Sequence, residues 1–321
     1  IWGLGYRRIN ISLSGGSALE SGNVSIVTGS SVQGNSGSIN LKTASSEGNS
    51  GDVTVSSGSG QDGGALMLVS GSGENIAGDV ILASGDSDQS FGGSVKIHAG
   101  AGRDATGGFL EVLSGNSERG QSGHVLVASG KSANGFSGRL ILESGNAEIT
   151  SGNLDILSGN SLSGNSGSIQ IQAGDSSTTG GDVNLQAGNA EIATGGSIAI
   201  VSGSSNAGVS GEVKIASSLG SRSGVINVRS GDSRSGVSGD TLVQSGKALE
   251  RSGSVRVGTG SSENGFTGSI FVQAGNAEQG TGGSVSLESG SGSLSGSVTV
   301  QSREGLVGSG KISVKSGSAK A

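Results

Sequence analysis

Aliphatic and polar positions alternate along nearly the whole chain in a short pattern that recurs. One example is Gly-Ser-Val-Ser-Leu-Glu-Ser-Gly at 283–290. If the first aliphatic position of each repeat is called a, 21 repeats follow one another at spacings of 13 to 15 residues, from a at Val24 to a at Ile312. Position a is Val, Ile or Leu except at Thr241, and a+2 is always one of these three. A period of two with β-branched residues predicts short β-strands.

Small residues frame each predicted strand. Position a−2 is Gly in all 21 repeats, a+4 is Ser, Thr or Ala, and a+5 is Gly apart from Ala44, Ser218 and Arg303. Glycine tolerates positive φ and close backbone approach, so these positions indicate sharp corners. Position a+7 is always Gly, Ser or Ala, and we expect its side chain to point into a tight space. The polar residues that follow absorb the variation in length and are predicted solvent loops.

One repeat is too short to bury its own aliphatic residues, whereas stacked repeats bury them together. The sequence therefore predicts an all-β fold, a parallel β-solenoid in which each strand pairs with its equivalent one coil away, at about 4.8 Å. On this prediction residues 21–321 form a single continuous array within a longer protein. Residues 1–20 form an N-terminal segment and a candidate cap. A disordered linker would not explain 21 glycines in one register.

A longer period of about 44 residues is superimposed on the short one. Every third repeat, up to the thirteenth, carries a large aliphatic residue at a+3, and we call these residues the aliphatic ladder: Val27, Val69, Leu113, Leu157 and Val201. Two geometries remain open, a coil of one 14-residue repeat or a three-sided coil of three repeats. We prefer the three-sided coil because it aligns the ladder on one face. A repeated apolar row predicts a lateral interface with another chain.

Composition and charge narrow the class of protein. The chain of 321 residues contains 66 Gly, no Pro, no Cys and 2% aromatic residues, with a formal net charge of −6. Because the chain has no Cys, a disulfide scaffold is excluded. The net charge is mildly acidic and spread along the chain, which argues against a nucleic-acid partner, since such a partner requires a basic surface. No apolar run approaches the roughly 18 residues of a membrane span.

Residues that could carry chemistry are few. His98 and His124 are the two histidines, and without Cys they predict neither a zinc site nor a nucleophilic dyad. Asp86 and Asp88 are interpreted as a solvated loop. We therefore expect no enzyme activity, no cofactor and no metal site. The sequons at Asn10 and Asn23 are candidate glycosylation sites, although both lie in or beside predicted strands.

Repeats such as Ser-Gly-Arg-Leu-Ile-Leu-Glu-Ser-Gly at 137–145 resemble those of Gly/Ser-rich β-solenoid proteins of cell surfaces and extracellular filaments. These include bacterial β-helical adhesins and flagellar-hair proteins of protists. The resemblance covers nearly the whole chain, is one of repeat style, and implies a passive extracellular shaft, stalk or fibre.

We accordingly expect a structural protein of an extracellular filament, stalk or surface layer. It would self-associate through its solenoid edges and the aliphatic ladder, and would contact other filament proteins. The alternative is a binding module, either an adhesin or an ice-binding protein. Ice binding would require a regular face of Thr, whereas the outward pairs at a+1 and a+3 are mixed, as in Lys96 with His98.

Overall fold

Bend-free segments alternate with short bends along the chain. The structure is a computed structural model that describes residues 11–16 and 21–317. These residues contain no helix and no strand. The bends lie at 32–34, 47–48, 60–62, 74–75, 88–90, 103–105, 118–120, 133–135, 148–149, 162–164, 177–178, 191–193, 206–208, 221–222, 234–236, 249–250, 263–265, 278–280, 292–294 and 306–307. Each bend falls in an interval that the sequence predicts as a loop.

The chain divides into two parts, Ile1–Leu157 and Ser158–Ala321. The first part holds the repeats with a from Val24 to Leu154, and the second holds those from Ile169 to Ile312. Both parts show the same alternation of bend-free segment and bend. The single array over 21–321 stays a prediction.

The predicted β-solenoid is wrong, and both coil geometries fail with it. A β-solenoid requires backbone hydrogen bonds between a strand and its equivalent one coil away. Within residues 11–16 and 21–317, every hydrogen bond joins residues at most nine positions apart, which is less than one repeat. No described segment pairs its backbone with another segment, so the described residues form no β-sheet hydrogen bonds. The solenoid edges that were predicted as assembly surfaces are therefore absent from this part of the chain.

The described part of the chain also has no buried core, so the expected burial of a and a+2 is wrong. Side chains at a are exposed from 49% at Val213 to 61% at Leu110, and those at a+2 from 60% at Ile156 to 93% at Val314. The accessible surface is 34193 Å². A compact monomer of the same mass would expose about 12,000 Å². The aliphatic pair at a and a+2 of each repeat is therefore left without a partner.

In two of the bend-free segments, residues two apart share a face, although the described residues form no strand. The Gln170 Nε2 donates a 2.9 Å hydrogen bond to the Gln172 Oε1, and the Ser286 Oγ donates a 3.0 Å hydrogen bond to the Glu288 Oε1. Both pairs are a+1 with a+3. Successive side chains of an extended backbone point to opposite sides, so the aliphatic pair faces away from these polar side chains.

Candidate assembly surface

Ten of the 20 loops between repeats are closed by a hydrogen bond between two glycines, which we call a glycine closure. The N–H of Gly93, at a−2, donates to the C=O of Gly85, at a+5 of the preceding repeat, over 2.9 Å. Nine further closures measure 2.9–3.1 Å, written donor to acceptor: Gly64–Gly58, Gly78–Gly71, Gly108–Gly100, Gly123–Gly115, Gly181–Gly174, Gly196–Gly188, Gly211–Gly203, Gly283–Gly275 and Gly296–Gly290. In the Gly93 closure the Ser84 Oγ also donates to the Gly93 C=O, over 3.0 Å. The loop ends are thus fastened locally.

In several of the closed loops, glycine is favoured at a−2 because the closure brings it against the preceding a+4 side chain. A Cβ added to Gly93 would lie 3.0 Å from the Ser84 Cβ, and one added to Gly196 would lie 3.2 Å from the Ala187 Cβ. The half-buried residues of the described part all occupy a+4: Thr28, Ser70, Ser114, Ala173, Ala187, Ser202, Ser230, Ser245 and Ala274. Position a+4 is therefore the most shielded point of these repeats.

The glycine at a+5 has a different environment. A Cβ added to Gly85 or Gly188 would meet nothing within 4 Å. Among the described residues positive φ occurs at Gly16 and Gly280, neither of which is at a−2 or a+5 of the 21 repeats. The described glycines at a−2 and a+5 therefore do not use the positive φ that glycine tolerates, and nothing in the structure explains the preference for Gly at a+5.

The residue at a+7 faces the loop backbone, as the sequence predicts, and it does so in two ways. In the longer loops the Ser117 Oγ accepts a 2.9 Å hydrogen bond from the Gly120 N–H. The same arrangement joins Ser31 with Gly34, Ser87 with Ser90, Ser161 with Gly164, Ser205 with Gly208 and Ser233 with Gly236. The three 13-residue repeats instead have Gly60, Gly220 and Gly292, where a Cβ would lie 3.1–3.2 Å from a backbone carbonyl oxygen two residues ahead.

The residues of the aliphatic ladder are more exposed than most of the aliphatic pairs of the repeats. Its five members are 78–86% exposed. Each belongs to a different repeat, and within the described residues no hydrogen bond links one of those repeats to another. The structure thus places the ladder residues where a partner could reach them, and a lateral interface stays a prediction.

The predicted loops also carry large apolar residues: the sequence places Phe91, Phe136 and Phe266 at one loop position in repeats separated by multiples of three, whereas the other apolar loop residues were missed. Phe91, Phe136 and Phe266 stand almost fully exposed at a+11 of their repeats. Other loops carry large apolar residues that are also almost fully exposed: Val32, Ile76, Ile149, Leu162, Ile192, Val209, Leu219, Val237, Leu249, Leu294, Leu306 and Val307. The signal was present in the sequence as single apolar residues between polar ones.

The residues considered for other chemistry do not converge. Asp86, Asp88, His98 and His124 are exposed, and no three metal-ligating side chains cluster in the part of the chain that the structure describes. That part also has no pocket. Asn23 is exposed, whereas Asn10 lies outside the described residues, as does most of the candidate cap at 1–20. Glycosylation and capping stay predictions.

The described residues include no helix with the length and hydrophobicity needed to cross a membrane. Comparison with known proteins gives no relative: no protein-family model matches the sequence, and neither the curated proteins nor the solved structures contain a significant match.

Proposed function

We propose that the chain is a structural protein that self-associates through its aliphatic pairs as a building block of an extracellular filament, stalk or surface layer. One observation carries the proposal. The pair at a and a+2 recurs in all but one of the 21 repeats, yet no aliphatic residue is buried in the described part of the chain. An apolar surface repeated on this scale favours a partner that covers it. The proposal assigns the chain no catalytic role and no cofactor.

The exposed aliphatic area is large enough for a stable interface. Full burial of a Val, Leu or Ile side chain contributes about 1.5–3 kcal/mol at about 25 cal/mol per Å², or roughly 60–120 Å² each. The repeats of Ser158–Ala321 hold 11 × 2 − 1 = 21 such side chains at a and a+2, Thr241 being the exception. At roughly 60% exposure they present on the order of 750–1,500 Å². A standard interface buries about 800 Å² on each partner.

A second copy of the chain is the partner whose chemistry fits best. It carries the same pairs at the same spacing of 13 to 15 residues, so successive pairs of one copy can meet successive pairs of another. The net charge of −6 is spread over 321 residues and opposes this association only weakly at physiological ionic strength. The glycine closures hold the loops before association, which lowers the entropy lost on binding.

Sedimentation velocity over a concentration series tests the self-association. We expect the wild-type sedimentation coefficient to rise with concentration. Ile171→Asp places a carboxylate in one aliphatic pair, and we expect it to weaken association at least about tenfold, because Ile burial is worth about 1.5–3 kcal/mol. The control Gln172→Asp adds the same charge at a+3 of that repeat and should behave like wild type. A wild-type protein that stays monomeric at high concentration would overturn the proposal.

The extracellular location is supported by the repeat style that the chain shares with cell-surface proteins. A membrane-impermeant, amine-reactive reagent on intact source cells provides the test, because the amino groups of Lys96 and Lys131 are on exposed residues. Labelling before lysis is the expected result. Labelling that appears only after lysis would contradict an extracellular location without affecting the self-association.

A further inference from the structure

The bend-free segment Gly64–Gly71 differs from the equivalent segment of every other repeat. Its residues at a to a+3 are Leu66, Met67, Leu68 and Val69, four large apolar side chains in succession, and the segment contains no charged residue. Each of the other 20 repeats interrupts this run with a polar residue, a charged residue, Ala or Gly. This is therefore the one repeat of the 21 with large apolar residues at both a+1 and a+3, the face opposite the aliphatic pair.

Both faces of the segment are open. Leu66 and Leu68 are 54% and 65% exposed, whereas Met67 and Val69, on the opposite face, are 78% and 80% exposed. Covering the aliphatic pair, as the proposed function requires, would leave the Met67 and Val69 side still in water. This segment consequently offers two large apolar side chains to a second apolar contact, whereas the same face of every other repeat offers at most one.

The segment is also held ready for pairing. The Gly64 N–H closes onto the Gly58 C=O over 3.1 Å, and the Gly71 C=O accepts from the Gly78 N–H over 2.9 Å, so a closed loop lies on each side. Within the described residues, the backbone groups from Ala65 to Ser70 form no hydrogen bond. An unpaired, straight backbone of this kind is a template for pairing with another chain.

We infer that Gly64–Gly71 nucleates self-association by pairing with the same segment of a second copy, with Met67 and Val69 in contact across the interface. This inference rests on the proposed function. The occupant follows from charge and composition: the segment is uncharged and free of Pro, and Ala65 to Val69 are all apolar, which suits pairing with an identical segment. Interface cores are enriched in Met and depleted in charge, and the second copy supplies the one other surface with this chemistry.

Met67 is the single methionine of the chain, so it reports on this contact without any substitution. Dilute hydrogen peroxide converts an exposed Met to its sulfoxide, which mass spectrometry detects as one added oxygen. We expect Met67 in the assembled fraction of the wild-type protein to oxidise at least about tenfold more slowly than in the dilute monomer. If assembly occurs with unchanged Met67 oxidation, the inference fails while the proposed function stands. If no assembly occurs at any concentration, both fail.

Paired variants test the nucleating role. Met67→Gln with Val69→Gln removes both apolar contacts, and we expect the concentration needed for assembly to rise at least about tenfold. The control, Ile81→Gln with Ala83→Gln, changes the same two positions of the next repeat, where Ile81 is equally exposed. It should change that concentration less than about twofold. An equal effect of the two double variants would show that the segment has no special role.

Discussion

The backbone N–H of Gly196 donates a 2.9 Å hydrogen bond to the C=O of Gly188 and so closes the loop between them. A side chain on Gly196 would press on the Ala187 Cβ, which explains the Gly at a−2 and the small residue at a+4 in this closed loop. Because the two ends meet within the loop itself, the closure needs no core. A chain with an exposed surface of 34193 Å² can still close ten of its loops in this way.

Gly196→Ala should open its closure. The added Cβ would lie 3.2 Å from both the Ala187 Cβ and the Gly188 N, so the two ends of the loop must separate by a few tenths of an ångström. A net loss of about 0.5–1.5 kcal/mol for one neutral hydrogen bond corresponds to roughly 2- to 10-fold faster hydrogen exchange at the residue 196 amide. Amide exchange measured by NMR on the monomer checks this value.

The matched control is Gly188→Ala, at the other end of the same closure. Nothing lies within 4 Å of the Cβ that it adds, and Gly188 does not have positive φ. We expect the Gly196 amide of this variant to have the same hydrogen-exchange rate as in the wild-type protein. Equal acceleration in the two variants would mean that close approach is not the reason for Gly at a−2.

Ser117→Ala should loosen the loop that follows Leu113. The Ser117 Oγ is the acceptor for the Gly120 N–H at 2.9 Å, and Ala removes it. We expect the Gly120 amide to exchange roughly 2- to 10-fold faster, for the loss of one neutral hydrogen bond. Glu118→Ala, in the same loop, leaves that hydrogen bond intact and should not change the exchange rate. Unaltered exchange in Ser117→Ala would contradict the role assigned to a+7.

Gly292→Ala should disturb one of the three shortest repeats. The new Cβ would lie 3.1 Å from the Leu294 carbonyl oxygen, and the loop has no spare residue to relieve the contact. We expect faster exchange at the Gly296 amide, which closes this loop over 3.0 Å. Gly290→Ala adds its Cβ in open space and serves as the control. If the Gly296 amide exchanges at the same rate in the two variants, a tight turn is not the reason for Gly at a+7.

Leu113→Lys with Leu157→Lys should weaken lateral association through the aliphatic ladder. Both residues are largely exposed, so the change places two charges on the predicted contact without removing any buried packing. The control, Ala83→Lys with Ala128→Lys, adds the same charges at a+3 of two repeats outside the ladder. We expect sedimentation to show weaker association for the first variant alone. The same sedimentation behaviour in the two double variants would exclude the aliphatic ladder as an interface.

The sequence by itself determined the register of the repeats. The alternation at a and a+2 identified the bend-free segments, and the polar intervals identified the bends, such as 118–120, because these properties depend on neighbouring residues. The sequence likewise showed that the residues at a+4 and a+7 are always small. The physical reasons for these small residues are visible only in the structure. They are the close approach of Gly93 to Ser84 and the hydrogen bond from the Gly120 N–H to the Ser117 Oγ.

Only the tertiary structure decided which groups find partners. Alternation at Ile169 and Ile171 predicts an extended backbone with an apolar side, but it does not specify what covers that side or where the backbone N–H and C=O groups bond. The structure answers both questions locally: the hydrogen bonds of the described residues stay within nine positions, and the aliphatic pairs remain exposed. The predicted solenoid was wrong because periodicity reports on conformation along the chain, whereas a solenoid depends on hydrogen bonds between distant repeats.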